Sequence, residues 1–179
     1  MKMKSALFAA LAVAAVLPAG SALADDEIAV AIHGRIAHYR ELGTAFKAID
    51  DELKLEKPYE PALREATEHI ADLSLEVPRW FPPGSGPAPK DESWGAWFKS
   101  FFVTPPDPRI VHGVKTKASA DIWLKPDEFK ADYTRLQVES AKLLELLQAK
   151  DMDGFKAQFG EMKKACDACH TRFRHKDDL

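Results

Sequence analysis

The chain has 179 residues, with 25 lysines and arginines against 28 aspartates and glutamates, which gives a formal net charge of −3. This length fits one domain. The mildly acidic balance excludes the strong basic footprint that marks a nucleic-acid-binding protein.

The first 24 residues have the three parts of an export signal. Lys2 and Lys4 form a positive start, residues 6–17 are apolar, and Ala22-Leu23-Ala24 is a small-residue cleavage site. The apolar run is shorter than the roughly 20 residues that a helix needs to span a bilayer. We therefore expect cleavage of the signal peptide 1–24, which leaves a periplasmic chain, 25–179, without a membrane span. An uncleaved membrane anchor is the alternative.

Apolar residues recur every three or four positions along four segments, which is the period of an amphipathic helix. These segments cover about 26–55, 59–75, 126–149 and 152–175. No useful length of sequence alternates with the two-residue period of a strand. Pro126 suits the first turn of the third helix, and Asp151 is a plausible N-cap for the fourth. The pattern predicts an all-α, antiparallel four-helix bundle.

A long segment, about 87–117, separates the second and third predicted helices. Its aromatic residues follow a helical spacing, which predicts a short amphipathic helix ordered against the bundle. One interpretation of this helix is a lid or a docking surface, over the functional site or for a partner. The other is a helix that packs on the outside of the bundle or at a dimer contact. The aromatic residues are Trp94, Trp97, Phe98, Phe101 and Phe102.

The strongest motif is C-D-A-C-H at residues 166–170, which contains the only two cysteines. C-x-x-C-H is the attachment sequence of c-type haem. Cys166 and Cys169 share one face of a helix, on its apolar stripe, so the haem would lie in the bundle interior. We predict one covalent haem c with His170 as axial iron ligand. A disulfide, or a zinc site with His175, is the alternative, but neither has its usual sequence context.

A haem motif near the C-terminus of a four-helix bundle resembles the cytochrome c′ family of class II cytochromes c, a known bundle of this kind. Further segments look like the family's in the same order along the chain. They are Arg35 with an inward residue four positions later, F-P-P-G-S-G at 81–86, and the pattern from Ile122-Trp123 to Phe129. The likeness covers most of the mature chain, and the insert at 87–117 is its main departure.

The resemblance implies roles for residues around the haem. Arg35 would bind a haem propionate, because a guanidinium pairs well with carboxylates. Phe173 would line the haem, and Arg174 would place a positive charge near the proximal face. Tyr39 stands where low-spin members of the family carry Met, and it would fill the distal space without bonding a five-coordinate iron. An ordinary core tyrosine is the other interpretation of Tyr39.

The sixth iron position decides between the expected functions. Met152 and Met162 both belong to the last helix or its start, so they cannot reach the opposite face of the haem. We expect single-electron transfer, binding of a diatomic gas such as nitric oxide or carbon monoxide, or both, with a redox partner protein and a possible homodimer. The alternative is a low-spin electron carrier with His38 or His112 as sixth ligand. Enzyme activity is not expected, because Tyr39 supplies no acid–base pair of the kind that a peroxidase uses.

Overall fold

The computed structural model describes residues 21–89, 93–95, 99, 104 and 107–175 of the chain. Helices dominate these residues, and a 3-10 helix, Val77–Trp80, directly follows the second of them. The α-helices are α1 Ser21–Glu52, α2 Glu60–Glu76, α3 Asp121–Leu124, α4 Pro126–Gln148 and α5 Met152–Phe173. The four long helices are those that the sequence predicts, whereas α3 is an additional short helix before Pro126.

The four long helices bury their apolar stripes against one another, as amphipathic helices do in a bundle. Phe46 of α1 stacks on Phe159 of α5 with ring centroids 4.5 Å apart, which joins the first helix to the last. Each fully buried Leu, Ile or Phe stabilises the fold by about 1.5–3 kcal/mol. The main core cluster consists of Ala45, Ile49, Leu63, Ala66, Ile70, Leu143, Leu147, Phe155, Phe159 and Met162. The predicted four-helix bundle is confirmed.

Specific contacts determine where α5 begins and where it ends. At its start, the Asp151 carboxylate accepts a hydrogen bond of 2.9 Å from the backbone N–H of Gly154, which confirms the predicted N-cap. At its end, Arg174 adopts an extended conformation and pairs with Ala118 in an isolated β-bridge. The helix therefore stops at Phe173 rather than at 175, and its end is tied to the chain that leaves the insert.

The first helix differs most from its predicted bounds. It runs from Ser21 to Glu52, whereas the periodicity predicts about 26–55. Its last backbone hydrogen bonds tighten to the three-residue spacing of a 3-10 turn, from Lys54 N–H to Asp51 O and from Leu55 N–H to Glu52 O, as often happens at a helix end. None of the described helices combines the length and the apolar character needed to cross a bilayer.

The insert contains a β-hairpin that the sequence analysis did not predict. Strands β1 Ile110–Val111 and β2 Val114–Lys115 pair in antiparallel fashion around His112 and Gly113. These two turn residues have φ of 46° and 76°, as a type I′ turn requires at both central positions. Two-residue strands are too short to show an alternating pattern, so the sequence periodicity gave no sign of this hairpin.

The hairpin packs on the N-terminal half of α1. Val111 and Val114 form a small buried cluster with Ile32. At the turn, His112 Nδ1 lies 3.0 Å from the Asp25 carboxylate. This part of the insert is therefore held on the outside of the bundle. Trp94 is 75% exposed. The other four residues of the predicted aromatic helix lie outside the described residues, so that helix stays a prediction.

The loop that follows the 3-10 helix passes very close to the side chain of Trp123. The Trp123 indole donates a hydrogen bond of 3.3 Å to the carbonyl of Pro82. A Cβ atom at Gly86 would lie only 2.0 Å from the indole ring. Only glycine leaves room for this approach, so Gly86 fixes the distance between the loop and the segment before α4.

We expect Gly86→Ala to destabilise the protein by about 1–3 kcal/mol, because the added methyl group must displace Trp123 from a packed site. Chemical denaturation measures this change. Gly43→Ala is the matched control, since nothing lies within 4 Å of the Cβ that it would add in α1. The control should be neutral or stabilising by about 0.5–1 kcal/mol. Equal stabilities of the two variants would contradict the close packing.

Candidate haem-binding site

The last turns of α5 carry the two thiols of the haem motif. Cys166 and Cys169 are free and partly buried. Burial, and then the charge of Asp167, raise the pKa of the Cys166 thiol to about 11. Burial, and then the charge of Asp132, raise the pKa of Cys169 to about 12. Thiols of this kind stay protonated at neutral pH, unlike the thiolate of a thioredoxin-like motif.

A zinc site has no support in the described part of the chain. No group of three or more histidine, cysteine or acidic side chains there could hold a metal ion. His170 and His175 are therefore without the further ligands that a closed zinc site requires.

The Cys169 side chain packs against a second cluster of buried residues, rich in aromatic rings, which we call the aromatic cluster. Phe129 lies at its centre, with its ring centroid 4.9 Å from that of Phe81 and 5.3 Å from that of Phe173. A groove of ≈ 250 Å³ opens along one side of the cluster. The buried members are Val77, Trp80, Ala118, Ile122, Phe129 and Phe173, and Tyr39, Leu42, Leu73, Phe81, Trp123 and Tyr133 pack against them.

These surroundings fit a flat apolar macrocycle. In the aromatic cluster, apolar side chains from α1, α2, α4 and the loop lie together beside Cys169. The main core cluster occupies the other part of the bundle. Large apolar and aromatic surfaces with a few polar groups are typical of cofactor sites. The thiols and the aromatic cluster together could hold one haem.

Tyr39 reaches the aromatic cluster from α1. Its ring meets Trp80 edge-on with centroids 5.2 Å apart, and Phe81 with centroids 6.2 Å apart. Burial, reinforced by the nearby thiol groups, raises the pKa of Tyr39 above its usual value. The phenol is therefore neutral at physiological pH. Tyr39 and Cys169 belong to one cluster, so the inward orientation expected of Tyr39 agrees with the structure.

Arg35, one turn before Tyr39 on α1, is 3% exposed and held by a network of neutral acceptors. Its Nη1 donates to Ser85 Oγ at 3.2 Å, and its Nη2 donates to Ser85 O and to Thr116 Oγ1, each at 3.0 Å. The guanidinium lies 4.7 Å from the centroid of the Phe81 ring. Desolvation lowers the pKa of Arg35 to about 10.

A buried cation with neutral partners lacks the charge compensation that burial usually requires. The hydrogen bonds of the Arg35 guanidinium to Ser85 and Thr116 engage no carboxylate. A haem propionate would supply the missing negative charge, but it would share or replace one of these bonds. The propionate role of Arg35 thus stays a prediction. No pattern in the sequence marks Thr116, and Ser85 is visible only within the F-P-P-G-S-G segment.

The structure separates the remaining predicted residues into buried and exposed groups. Phe173 is buried in the aromatic cluster, whereas His170 and Arg174 are exposed. Desolvation, and then the positive charge of Arg174, lower the pKa of His170. Both effects favour the neutral imidazole, which is the form that ligates a metal.

The two histidines considered as rival iron ligands have other side-chain contacts. His38 stacks on Trp80, a member of the aromatic cluster, with ring centroids 4.9 Å apart. His112 pairs with Asp25 at the hairpin. Neither contact places an imidazole beside Cys169.

A further residue near the site was not predicted from the sequence. Asp132 of α4 is 5% exposed, and its carboxylate pairs with Arg172, two residues beyond the axial histidine. Its signal was present, because Asp132 interrupts the apolar stripe between Phe129 and Leu136. A lone acidic residue on such a stripe indicates a buried charge that needs a partner.

Comparisons with known proteins identify the family of the chain. The family model described as Cytochrome C' matches residues 30–174. A cytochrome c' from Pararhodospirillum photometricum is 33% identical over 118 residues, which are 63% of this chain and 90% of that protein.

Solved structures share the fold at lower identity. Cytochrome c' from Thermochromatium tepidum has a TM-score of 0.63 at 20% identity and covers 82% of this chain and 95% of its own. Cytochrome c prime from Shewanella frigidimarina has a TM-score of 0.63 at 23% identity, with coverage of 84% and 98%. The nitric oxide complex of a mutant of cytochrome c prime from Alcaligenes xylosoxidans has a TM-score of 0.63 at 21% identity. It covers 84% of this chain and 97% of its own. The chain therefore belongs to the cytochrome c′ family, four-helix-bundle proteins that carry one covalently attached haem c.

Proposed function

We propose that this chain is an exported haem protein with a five-coordinate iron, which transfers single electrons, binds a diatomic gas such as nitric oxide or carbon monoxide, or does both. The observation that carries the proposal is the position of Tyr39, a neutral phenol in the same cluster as Cys169. A neutral phenol is a poor iron ligand, and ionising it in an apolar cluster would be costly.

The haem would be held by thioether bonds from Cys166 and Cys169, with His170 as the axial ligand. When bound, the haem supplies an iron that accepts or releases one electron and can hold a small gas. Desolvation and, after it, the positive charge of Arg174 lower the pKa of His170 and favour its neutral form. Arg35 would offset the charge of a propionate.

Tyr39 would control access to the distal face. Its edge-on contacts with Trp80 and Phe81 hold the ring against the aromatic cluster. A diatomic molecule could enter only after the ring moves, which slows binding and disfavours larger ligands. The methionines support the same account, because Met162 is buried in the main core cluster and Met152 packs at its edge. The proposal includes no peroxidase activity, since Tyr39 is not an acid–base pair.

Export and assembly are further parts of the proposal. Signal cleavage after Ala24 would make Asp25 the first residue of a periplasmic protein. A redox partner would then exchange electrons with the haem there. A homodimer is compatible with the groove of ≈ 670 Å³ between α1 and α2. Four alanines line this groove together with the polar residues Arg40, Glu41, Thr44, Glu65, His69 and Asp72. Small side chains would let a helix of a second copy approach closely.

We expect protein matured in a host with haem-attachment machinery to carry one haem, because both thiols lie beside a site that fits the macrocycle. Intact mass spectrometry should show a single haem on the chain. Replacing Cys166 and Cys169 together by Ala should abolish the covalent adduct. A native chain with an unmodified mass and a disulfide between these cysteines would contradict the attachment.

We expect Tyr39→Ala to bind carbon monoxide and nitric oxide faster, because the ring no longer has to be displaced. A rate increase of roughly tenfold corresponds to about 1.4 kcal/mol of displacement cost. Stopped-flow spectroscopy measures it. Tyr39→Phe is the matched control, since it keeps the ring and removes only the hydroxyl, and its rates should stay near those of the native protein. Unchanged rates in Tyr39→Ala would show that another group controls access.

A further inference from the structure

Asp132 is a buried carboxylate that has no function in the haem site described above. It lies on the inward face of α4 and is 5% exposed. Arg172 of α5 donates to its Oδ1, while Oδ2 has no hydrogen-bond partner among the described residues. Burying a half-satisfied carboxylate is costly, so such a group in a folded protein calls for an explanation beyond packing.

The positive charge of Arg172 does not fully neutralise this carboxylate. The Arg172 side chain is 44% exposed, and its Nη1 also lies 3.5 Å from Glu128, whose side chain is 53% exposed. Two carboxylates thus share one guanidinium, which leaves a net negative charge at this point. Solvent screens Arg172 and Glu128 more than Asp132, because screening weakens as a charge is buried.

Asp132 lies on the side of the site that carries Cys169. Its partner Arg172 follows Cys169 by one turn of α5. Phe129, one turn before Asp132 on α4, belongs to the aromatic cluster against which Cys169 packs. The carboxylate is therefore close to the point of haem attachment, and after burial its charge is the largest cause of the raised pKa of the Cys169 thiol.

We propose that Asp132, oriented by Arg172, lowers the reduction potential of the haem by placing a fixed negative charge beside its Cys169 edge. This inference rests on the proposed attachment of the haem at Cys169. Reduction brings one electron from the redox partner to the iron and makes the haem less positive. A nearby negative charge opposes that change, and its effect is strong where little water screens it. Arg172 is a positioning residue that partly offsets the charge.

The test is a redox titration of the purified haem protein and three variants. Asp132→Asn removes the charge at nearly constant shape and should raise the midpoint potential. Arg172→Gln removes the offsetting cation and should lower it. Glu128→Gln is the matched control, because it removes an exposed carboxylate from the same guanidinium and should shift the potential less than Asp132→Asn does.

The opposite signs distinguish a charge effect from a structural one. If the pair only joined α4 to α5, both variants would lower stability, and their potentials would stay unchanged or shift in the same direction; either result overturns the proposal. Should Asp132→Asn fail to fold, Arg172→Gln decides alone, since an unchanged or raised potential contradicts the proposal. A native protein without covalent haem absorbance would overturn the proposed function and this inference together. Normal haem with unshifted potentials would overturn only the inference.

Discussion

One constraint in α5 determines where the haem can lie. The face of this helix that carries Cys166 and Cys169 continues the apolar stripe that is buried in the bundle. Phe155 and Phe159, on the same stripe, belong to the main core cluster, and Cys169 packs against the aromatic cluster. A haem tethered to these thiols must therefore lie inside the protein. The bundle is in consequence divided into one part that is filled by side chains and one part that is suited to a cofactor.

The buried guanidinium of Arg35 organises the second part. It connects α1 to Ser85 in the loop and to Thr116 at the end of the insert. The loop in turn packs against Trp123 at Gly86. Segments that are distant in sequence are therefore fixed to α1 one turn before Tyr39. Because Arg35 and Tyr39 both contact Phe81, a movement of the Tyr39 ring that admits a ligand would also disturb this network.

The sequence predicted those features that repeat or that form a local motif. The helical stripes, the Asp151 cap and the C-x-x-C-H motif each occupy neighbouring positions, so their physical consequence is visible without the fold. The hairpin is too short for a periodic signal, and the partners of Arg35 lie 50 and 81 positions away along the chain. Asp132 could have been recognised as an exception on an apolar stripe, but its partner Arg172 appears only when α4 packs on α5.

The proposed function depends on an open distal position of the iron beside a neutral Tyr39. Optical spectra of the ferric and ferrous protein at neutral pH show whether this position is open, since high-spin and low-spin c-type haems differ plainly. We expect a high-spin, five-coordinate haem in both oxidation states. A low-spin spectrum that becomes high-spin in His38→Ala or His112→Ala would contradict it, and the chain would then be an electron carrier with a histidine as sixth ligand.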